Sequence, residues 1–234
     1  MKTEEIVVDG LSIVLFGQSH ESVIIYVHGQ GGCAREAEQV ANVAELSGYQ
    51  IIAMDLPEHG KRNDAAKFVP WDAVPEIARI AKYAASRWRR ILVCGVSIGA
   101  WFSLYAFKDV CVDKYIFISP LLNMNDMISR LMLAAGVSEE RLAREKTIET
   151  HSGQTLSYRY LSWIRNNPIS FGNANTMILC AENDEIVSFS TVKNFAEKYK
   201  CRLNIMPGGE HWFHTPEQLN YLKNWFKSAV ENYI

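Results

Sequence analysis

The sequence predicts an α/β fold built on a mostly parallel sheet with helices on both faces. Short apolar runs recur along the chain, and helix-like stretches separate them. Runs of this kind are typical of strands that are buried on both faces. Between two of the runs, apolar residues recur at helical spacing from Val74 to Trp88. Strands that alternate with such helices form a sheet with helices on both sides. The predicted strands are residues 23–27, 50–54, 91–94, 112–118, 177–181 and 203–206.

The two ends of the chain carry local folding signals. Asp9-Gly10 separates residues 5–8 from 11–16, which is a two-residue hairpin signal, so we expect an antiparallel pair at the start. Near the other end, Thr215 and Gln218 have the spacing of a capping box, and Pro216 suits the first helical position. We expect this last helix to pack beneath the preceding loop, through Leu219, Leu222, Trp225, Phe226 and Ala229.

The stretch from about 120 to 172 departs from the strand and helix alternation. It contains three helical patterns, at residues 125–135, 139–146 and 156–166. We therefore expect one domain, residues 1–234, with a helical insertion at about 120–172.

Composition restricts the function classes. The 234 residues have a formal net charge of −2, with 48% hydrophobic and 21% charged residues. Such a balance favours neither nucleic acid nor an anionic membrane as partner. The N-terminus lacks the apolar core of a signal peptide, so a cytoplasmic protein is expected, as a monomer or a homodimer. The five cysteines lack CxxC spacing, which favours reduced thiols.

The pentapeptide Gly95-Val96-Ser97-Ile98-Gly99 lies between a predicted strand and an apolar helix-like stretch. A serine on such a turn is driven toward positive φ, and the flanking glycines leave room for close packing. Its hydroxyl then projects above the sheet. Ser97 is therefore a candidate nucleophile, and a turn serine of structural importance alone is the simpler alternative.

A serine nucleophile needs a base to take its proton and an acid to orient that base. Asp184 and His211 each follow a predicted strand and come after Ser97 in the order acid, then histidine. Glu182 and Glu185 lie close enough in sequence to replace Asp184. His211 and His214 also invite a metal site, but two histidines without a third ligand make a weak case, so neither a metal nor a cofactor is expected.

With these residues the chain resembles the α/β-hydrolase family over nearly all of its length. The stretch from His28 to Gly32 (HGQGG) and the stretch from Asp55 to Gly60 (DLPEHG) look like loops of that family. The resemblance implies a mostly parallel eight-stranded sheet, a lid formed by the insertion, and an oxyanion hole made by the backbone amides of Gln30 and Ile98. Glu58 is a departure, because relatives often carry glycine there.

Aromatic residues near these loops and in the insertion are candidate pocket walls, although core packing is the alternative for each. They are Trp101, Tyr158, Tyr160, Trp163 and Trp212.

The residues and the resemblance together predict a serine hydrolase that cleaves a carboxylic ester of a small or medium-sized substrate through an acyl-enzyme. Alternatives within the same scaffold are a thioesterase, a peptidase-like acyl hydrolase, a carbon-carbon bond hydrolase and a perhydrolase. A non-catalytic protein that only binds a small molecule is a further alternative.

Overall fold

The computed structural model describes residues 1–151, 153–172 and 175–231. The chain divides into two units. The first comprises Met1–Leu122 and the chain from Phe171 onward, and the second is Asn123–Ser170. The second unit lies within the stretch of about 120–172 that departs from the alternation of strands and helices.

An eight-stranded sheet forms the centre of the first unit. Its strands are β1 (Thr3–Val8), β2 (Leu11–Phe16), β3 (Ser22–Val27), β4 (Gln50–Met54), β5 (Arg90–Val96), β6 (Lys114–Ile118), β9 (Thr176–Ala181) and β10 (Arg202–Met206). They lie in the order β1-β2-β4-β3-β5-β6-β9-β10. Among these described strands β2 alone runs opposite to the rest, so the predicted mostly parallel sheet is confirmed.

Helices cover both faces of this sheet, as its apolar strands require. The helices of the first unit are α1 (Glu38–Leu46), α2 (Pro70–Arg87), α3 (Ile98–Ala106), α7 (Phe189–Tyr199) and α8 (Pro216–Glu231). On one face, α1 and α8 share a core with alternate strand residues such as Ile24 and Leu92. On the other face, α2 packs against α3, and Phe195 of α7 lies in a ring cluster with Phe171 and Tyr115.

Helix α8 begins at Pro216, as predicted, and the Thr215 hydroxyl accepts a hydrogen bond from the Gln218 amide at 3.2 Å. The expected capping box is only half formed, because the Gln218 side chain accepts from the amide of His214 at 3.1 Å. Further along, the buried Lys114 donates from Nζ to the carbonyl oxygen of Ala229 at 2.8 Å. Burial lowers the pKa of this ammonium. These contacts hold α8 to the sheet and fix the loop that precedes it.

The second unit contains three helices and a hairpin: α4 (Met124–Ala134), α5 (Glu139–Glu145), β7 (Thr147–Glu149), β8 (Thr155–Ser157) and α6 (Tyr158–Asn166). Asn123, Ser138 and Ser157 cap the three helices through their side-chain oxygens. The helices lie close to the predicted positions, but the third is shorter because residues 155–157 pair with 147–149. Arg165 of α6 pairs with Glu139 of α5.

The carboxyl ends of the parallel strands meet at one edge of the sheet, where loops carry residues 28–32, 55–60, 97 and 182–187, and the loop after β10 carries 207–215. In open α/β sheets, this edge is where ligands bind. No helix in the described part of the chain is long and apolar enough to cross a membrane.

Candidate active site

Ser97 occupies a strained turn between β5 and α3. Its backbone has φ 50° and ψ −121°, a conformation that side chains rarely adopt and that the flanking structure must hold. The Ser97 amide donates to the Ile118 carbonyl at 3.0 Å, which ties the turn to the neighbouring strand. A Cβ on Gly99 would lie 2.3 Å from the Val27 carbonyl oxygen, and one on Gly95 would lie 2.6 Å from the Ala100 Cα. Glycine is therefore required on both sides of the serine.

The structure brings Ser97, His211 and Asp184 into one hydrogen-bonded chain. Nε2 of His211 lies 3.0 Å from the Ser97 Oγ, and Nδ1 lies 2.7 Å from Oδ2 of Asp184. The carboxylate accepts the Nδ1 proton, so Nε2 presents its lone pair to the serine hydroxyl. All three side chains are largely buried, with Ser97 at 7% and His211 at 6% exposure.

Asp184 is held by the backbone of its own loop. Its Oδ1 accepts from the amides of Ile186 at 2.9 Å and Val187 at 2.8 Å, which leaves Oδ2 directed at the imidazole. The sequence alternative Glu182 is engaged elsewhere, since its carboxylate accepts from the Gly208 amide at 2.7 Å. Asp184, and neither neighbouring glutamate, forms the contact with His211 in the described structure.

The loop after β3 lies directly against the serine. A Cβ on Gly29 would lie 3.1 Å from the Cβ of Ser97, which is closer than most such contacts, so this approach favours glycine. No hydrogen bond joins the amide nitrogen of Gln30 or of Ile98 to another residue in the described ranges. Ile98 is also the first residue of α3, where the helix dipole favours negative charge. Both amides are therefore available as donors.

The side chain of His28 holds this loop through hydrogen bonds to two backbone groups. Nδ1 donates to the Gly29 carbonyl at 2.7 Å, and Nε2 accepts from the Leu56 amide at 2.9 Å. The side chain is fully buried, and burial lowers its pKa from 6.5 to about 4. The imidazole is therefore neutral at pH 7, which is the state that both hydrogen bonds require.

The loop after β4 is stabilised by two carboxylates. Asp55 accepts from the amides of Ala34 at 2.7 Å and Lys61 at 2.9 Å. Glu58 has φ 64°, a left-handed conformation that explains why glycine suits this position. Its carboxylate accepts from the Phe68 amide at 2.9 Å and from Lys67 Nζ at 3.0 Å. These hydrogen bonds lower the pKa of Glu58, which keeps it ionised.

The predicted pocket residues differ in environment. Trp101 is 0% exposed and packs against Tyr105 with ring centroids 5.1 Å apart, so its prediction as a pocket wall is wrong and core packing accounts for it. Its place in a helix that is buried on nearly every side explains the difference. Trp212 is 47% exposed, and its ring contacts the His211 ring edge-on at 4.7 Å.

The other three pocket candidates, Tyr158, Tyr160 and Trp163, belong to α6 of the second unit and are partly exposed.

His214, the second histidine considered as a metal ligand, forms a hydrogen bond within its own loop, because its Nδ1 lies 2.7 Å from the Trp212 carbonyl oxygen. In the part of the chain that the structure describes, no group of three or more metal-ligating side chains occurs.

One residue at this edge was not predicted from the sequence. His59, in the loop after β4, accepts a hydrogen bond at Nε2 from the Gly31 amide at 2.9 Å. The DLPEHG stretch was the only sequence signal for it.

A family model described as the alpha/beta hydrolase family matches residues 24–220. The chain belongs to the α/β-hydrolase family. The match spans all the loops that carry Ser97, Asp184 and His211, and the predicted fold class is confirmed.

Solved structures show the same fold for this α/β hydrolase at low sequence identity. Est1E from Butyrivibrio proteoclasticus with ferulic acid bound has a TM-score of 0.75 and 19% identity, with 98% of this chain and 100% of that chain covered. The mouse alpha/beta hydrolase domain-containing protein 10 has a TM-score of 0.75 and 14% identity, with 99% of each chain covered. A thioesterase domain from the curacin biosynthetic pathway has a TM-score of 0.63 and 16% identity, again with 99% of each covered. No curated protein matches the chain in sequence.

Proposed function

We propose that this α/β hydrolase is a serine hydrolase that cleaves carboxylic esters of small or medium-sized substrates through an acyl-enzyme. The observation that carries the proposal is the continuous hydrogen-bonded chain from Ser97 through His211 to Asp184. These three side chains supply the nucleophile, the base and the orienting acid that acyl transfer needs.

In the first half of the proposed reaction, His211 takes the Ser97 proton while Oγ attacks the ester carbonyl. The imidazolium that forms is stabilised by Asp184, and it then gives its proton to the leaving alcohol. In the second half, His211 takes a proton from water, which attacks the acyl-enzyme and releases the carboxylic acid. Ser97 regains its proton from His211, so the enzyme returns to its starting state.

The carbonyl oxygen gains negative charge in both halves. In this proposal, the amides of Gln30 and Ile98 donate to that oxygen. Removal of one donor of this kind from other enzymes costs about 3 to 4 kcal/mol of transition-state stabilisation. The absence of other acceptors for these two amides within the described residues supports this role.

An ester is the favoured substrate because an alkoxide leaves more readily than an amine. The structural similarity to Est1E, which was solved with the aromatic acid ferulic acid, makes aromatic esters a sensible part of the test. The similarity to a thioesterase domain places thioesters second.

A substrate panel tests the proposal. Nitrophenyl acetate, butyrate and octanoate, methyl ferulate, an acyl thioester and a nitroanilide are assayed with the wild type and with Ser97→Ala. We expect ester hydrolysis that falls by at least about 10,000-fold in Ser97→Ala, as in other serine hydrolases. A fluorophosphonate probe should label Ser97 in the wild type alone. Undiminished activity in the variant, or a folded wild type that neither labels nor hydrolyses, would contradict the proposal.

We also propose that the unit Asn123–Ser170 is the lid of this enzyme, on the basis of its place in the chain after β6. Its replacement by a short Gly-Ser linker should change the preference for acyl length while Ser97 remains reactive to the fluorophosphonate. An unchanged preference across the panel would argue against a lid.

A further inference from the structure

Two histidines connect the loops after β3 and β4, because each accepts a hydrogen bond from a backbone amide of the other loop. His28 of the first loop accepts from the Leu56 amide of the second, and His59 of the second loop accepts from the Gly31 amide of the first. The two rings lie 5.2 Å apart between centroids. Each loop therefore supplies an imidazole acceptor to a backbone amide of the other.

The tautomer of His59 follows from its contacts. Its Nδ1 lies 2.8 Å from the Pro57 carbonyl oxygen, which can only accept, so Nδ1 carries a proton. Nε2 then accepts from the Gly31 amide. The ring is also packed at 4.3 Å between centroids against Phe68, and Glu58 holds the Phe68 amide. His59 is thus fixed both in position and in tautomer.

These contacts restrain the two peptide groups on either side of Gln30. The Gly29 carbonyl accepts from His28 Nδ1 at 2.7 Å and from the Gly32 amide at 3.2 Å. That carbonyl belongs to the same planar peptide group as the Gln30 amide, so fixing one directs the other to the opposite side. The next peptide group contains the Gly31 amide, which His59 holds.

Gln30 itself is exposed, and the glycine after it has φ 77° with open space around it. Few packing contacts are therefore available at this point to hold the loop, and the hydrogen bond from Gly31 to His59 is a major restraint on it. Loss of that bond frees the peptide group after Gln30 and, through it, the direction of the Gln30 amide.

We propose that His59 is a positioning residue for transition-state stabilisation: by holding the Gly31 amide, it aims the Gln30 amide at the carbonyl oxygen of the substrate. This inference rests on the proposed function. It assigns to His59 no contact with the substrate and no proton transfer.

Two substitutions at position 59 separate this role from simple packing. His59→Phe keeps a ring of similar size against Phe68 but has no acceptor, and His59→Gln places an oxygen near the position of Nε2. His20→Phe serves as the matched control, because His20 lies in the turn between β2 and β3, away from these loops. Steady-state kinetics with nitrophenyl butyrate and hydrogen exchange of the Gly31 amide are measured for each.

We expect His59→Phe to lower kcat by about 10-fold to 50-fold, less than the loss of a whole donor, with KM changed by less than about threefold. Exchange of the Gly31 amide should become faster. His59→Gln should recover most of kcat and protect the amide again, and His20→Phe should behave as the wild type.

Three results would overturn the inference: a kcat for His59→Phe within twofold of the wild type, an equal loss in His59→Gln, or a loss that falls on KM alone. The Ser97→Ala variant is assayed alongside. If it retains ester hydrolysis, the proposed function fails and this inference fails with it. If it is inactive and the His59 variants are unaffected, only this inference fails.

Discussion

Nε2 of His211 lies 3.0 Å from Oγ of Ser97, although 114 positions separate the two residues along the chain. The sheet produces this proximity, because β5 and β10 end at the same edge and each is followed by a short loop. On the far side of the imidazole, Asp184 lies 2.7 Å from Nδ1. A substitution of Asp184 therefore tests whether this carboxylate orients His211 for the reaction with Ser97.

Asp184→Asn should lower kcat by about 10,000-fold with little change in stability. The amide keeps the size of the side chain but no longer holds His211 in the tautomer that the serine needs. Glu185→Gln is the matched control, because this neighbouring carboxylate is exposed and forms no contact with His211 in the described structure. Equal losses in the two variants, measured with nitrophenyl butyrate, would reject Asp184 as the orienting acid.

Gly99→Ala should destabilise the protein by about 3 kcal/mol. The added Cβ would meet the carbonyl oxygens of Val27 at 2.3 Å and His28 at 2.5 Å, and backbone atoms cannot move aside as a flexible side chain can. Gly172→Ala is the control, since within the described ranges no atom other than those of its chain neighbours lies within 4 Å of the added Cβ. Urea unfolding of both variants checks the difference, and a stability loss in Gly99→Ala no larger than in the control would show that the elbow tolerates a side chain.

Acid should weaken the fold through His28. Its pKa is lowered from 6.5 to about 4 in the folded protein, so between these pH values the unfolded chain binds a proton at His28 and the folded protein does not. The contribution is fully present above pH 6.5, and about 3 kcal/mol of it is lost as the pH falls from 6.5 to 4.

Urea unfolding across this range, compared with His28→Gln, measures that contribution as a shallower pH dependence in the variant. Titration of the His28 ring by NMR provides a second reading in the wild type, should the variant fold poorly. A midpoint near 6.5 would contradict the expected burial of a neutral imidazole.

Glu58→Gly should be more stable than Glu58→Ala by about 1 kcal/mol. Both variants lose the hydrogen bonds to Phe68 and Lys67, but only alanine keeps the strain of a side chain at φ 64°. Thermal unfolding of the two variants gives the difference. Equal stabilities would mean that the turn relaxes to another backbone conformation.

The strands and the site loops were predictable because their signals are local. The central strands are mainly apolar, and predicted and observed limits differ by two residues at most. Strand β10 is the exception in burial, because most of its residues are exposed at the edge of the sheet. The glycine spacing around Ser97 reflects contacts that no Cβ permits. The order of Asp184 and His211 followed from the resemblance and from their positions after strands.

Other features depend on contacts that one sequence does not display. The paired strands Thr147–Glu149 and Thr155–Ser157 have only three residues each and are largely exposed, so they show no apolar pattern. Helix α3 is buried on nearly all sides, so spacing alone could not tell whether Trp101 faces a pocket or the core. His59 binds an amide 28 positions away, and only the fold brings the two together.

The chain leaves β6 and returns at β9, and these two strands are direct neighbours in the sheet, with Tyr115 opposite Thr176. The whole unit Asn123–Ser170 is therefore a single excursion between adjacent strands. Each doubling in length of such a connection adds only about 0.6 kcal/mol of closure entropy. Because β6 and β9 are joined directly by their own hydrogen bonds, we expect a segment of different length between them to alter the entropy of folding only slightly.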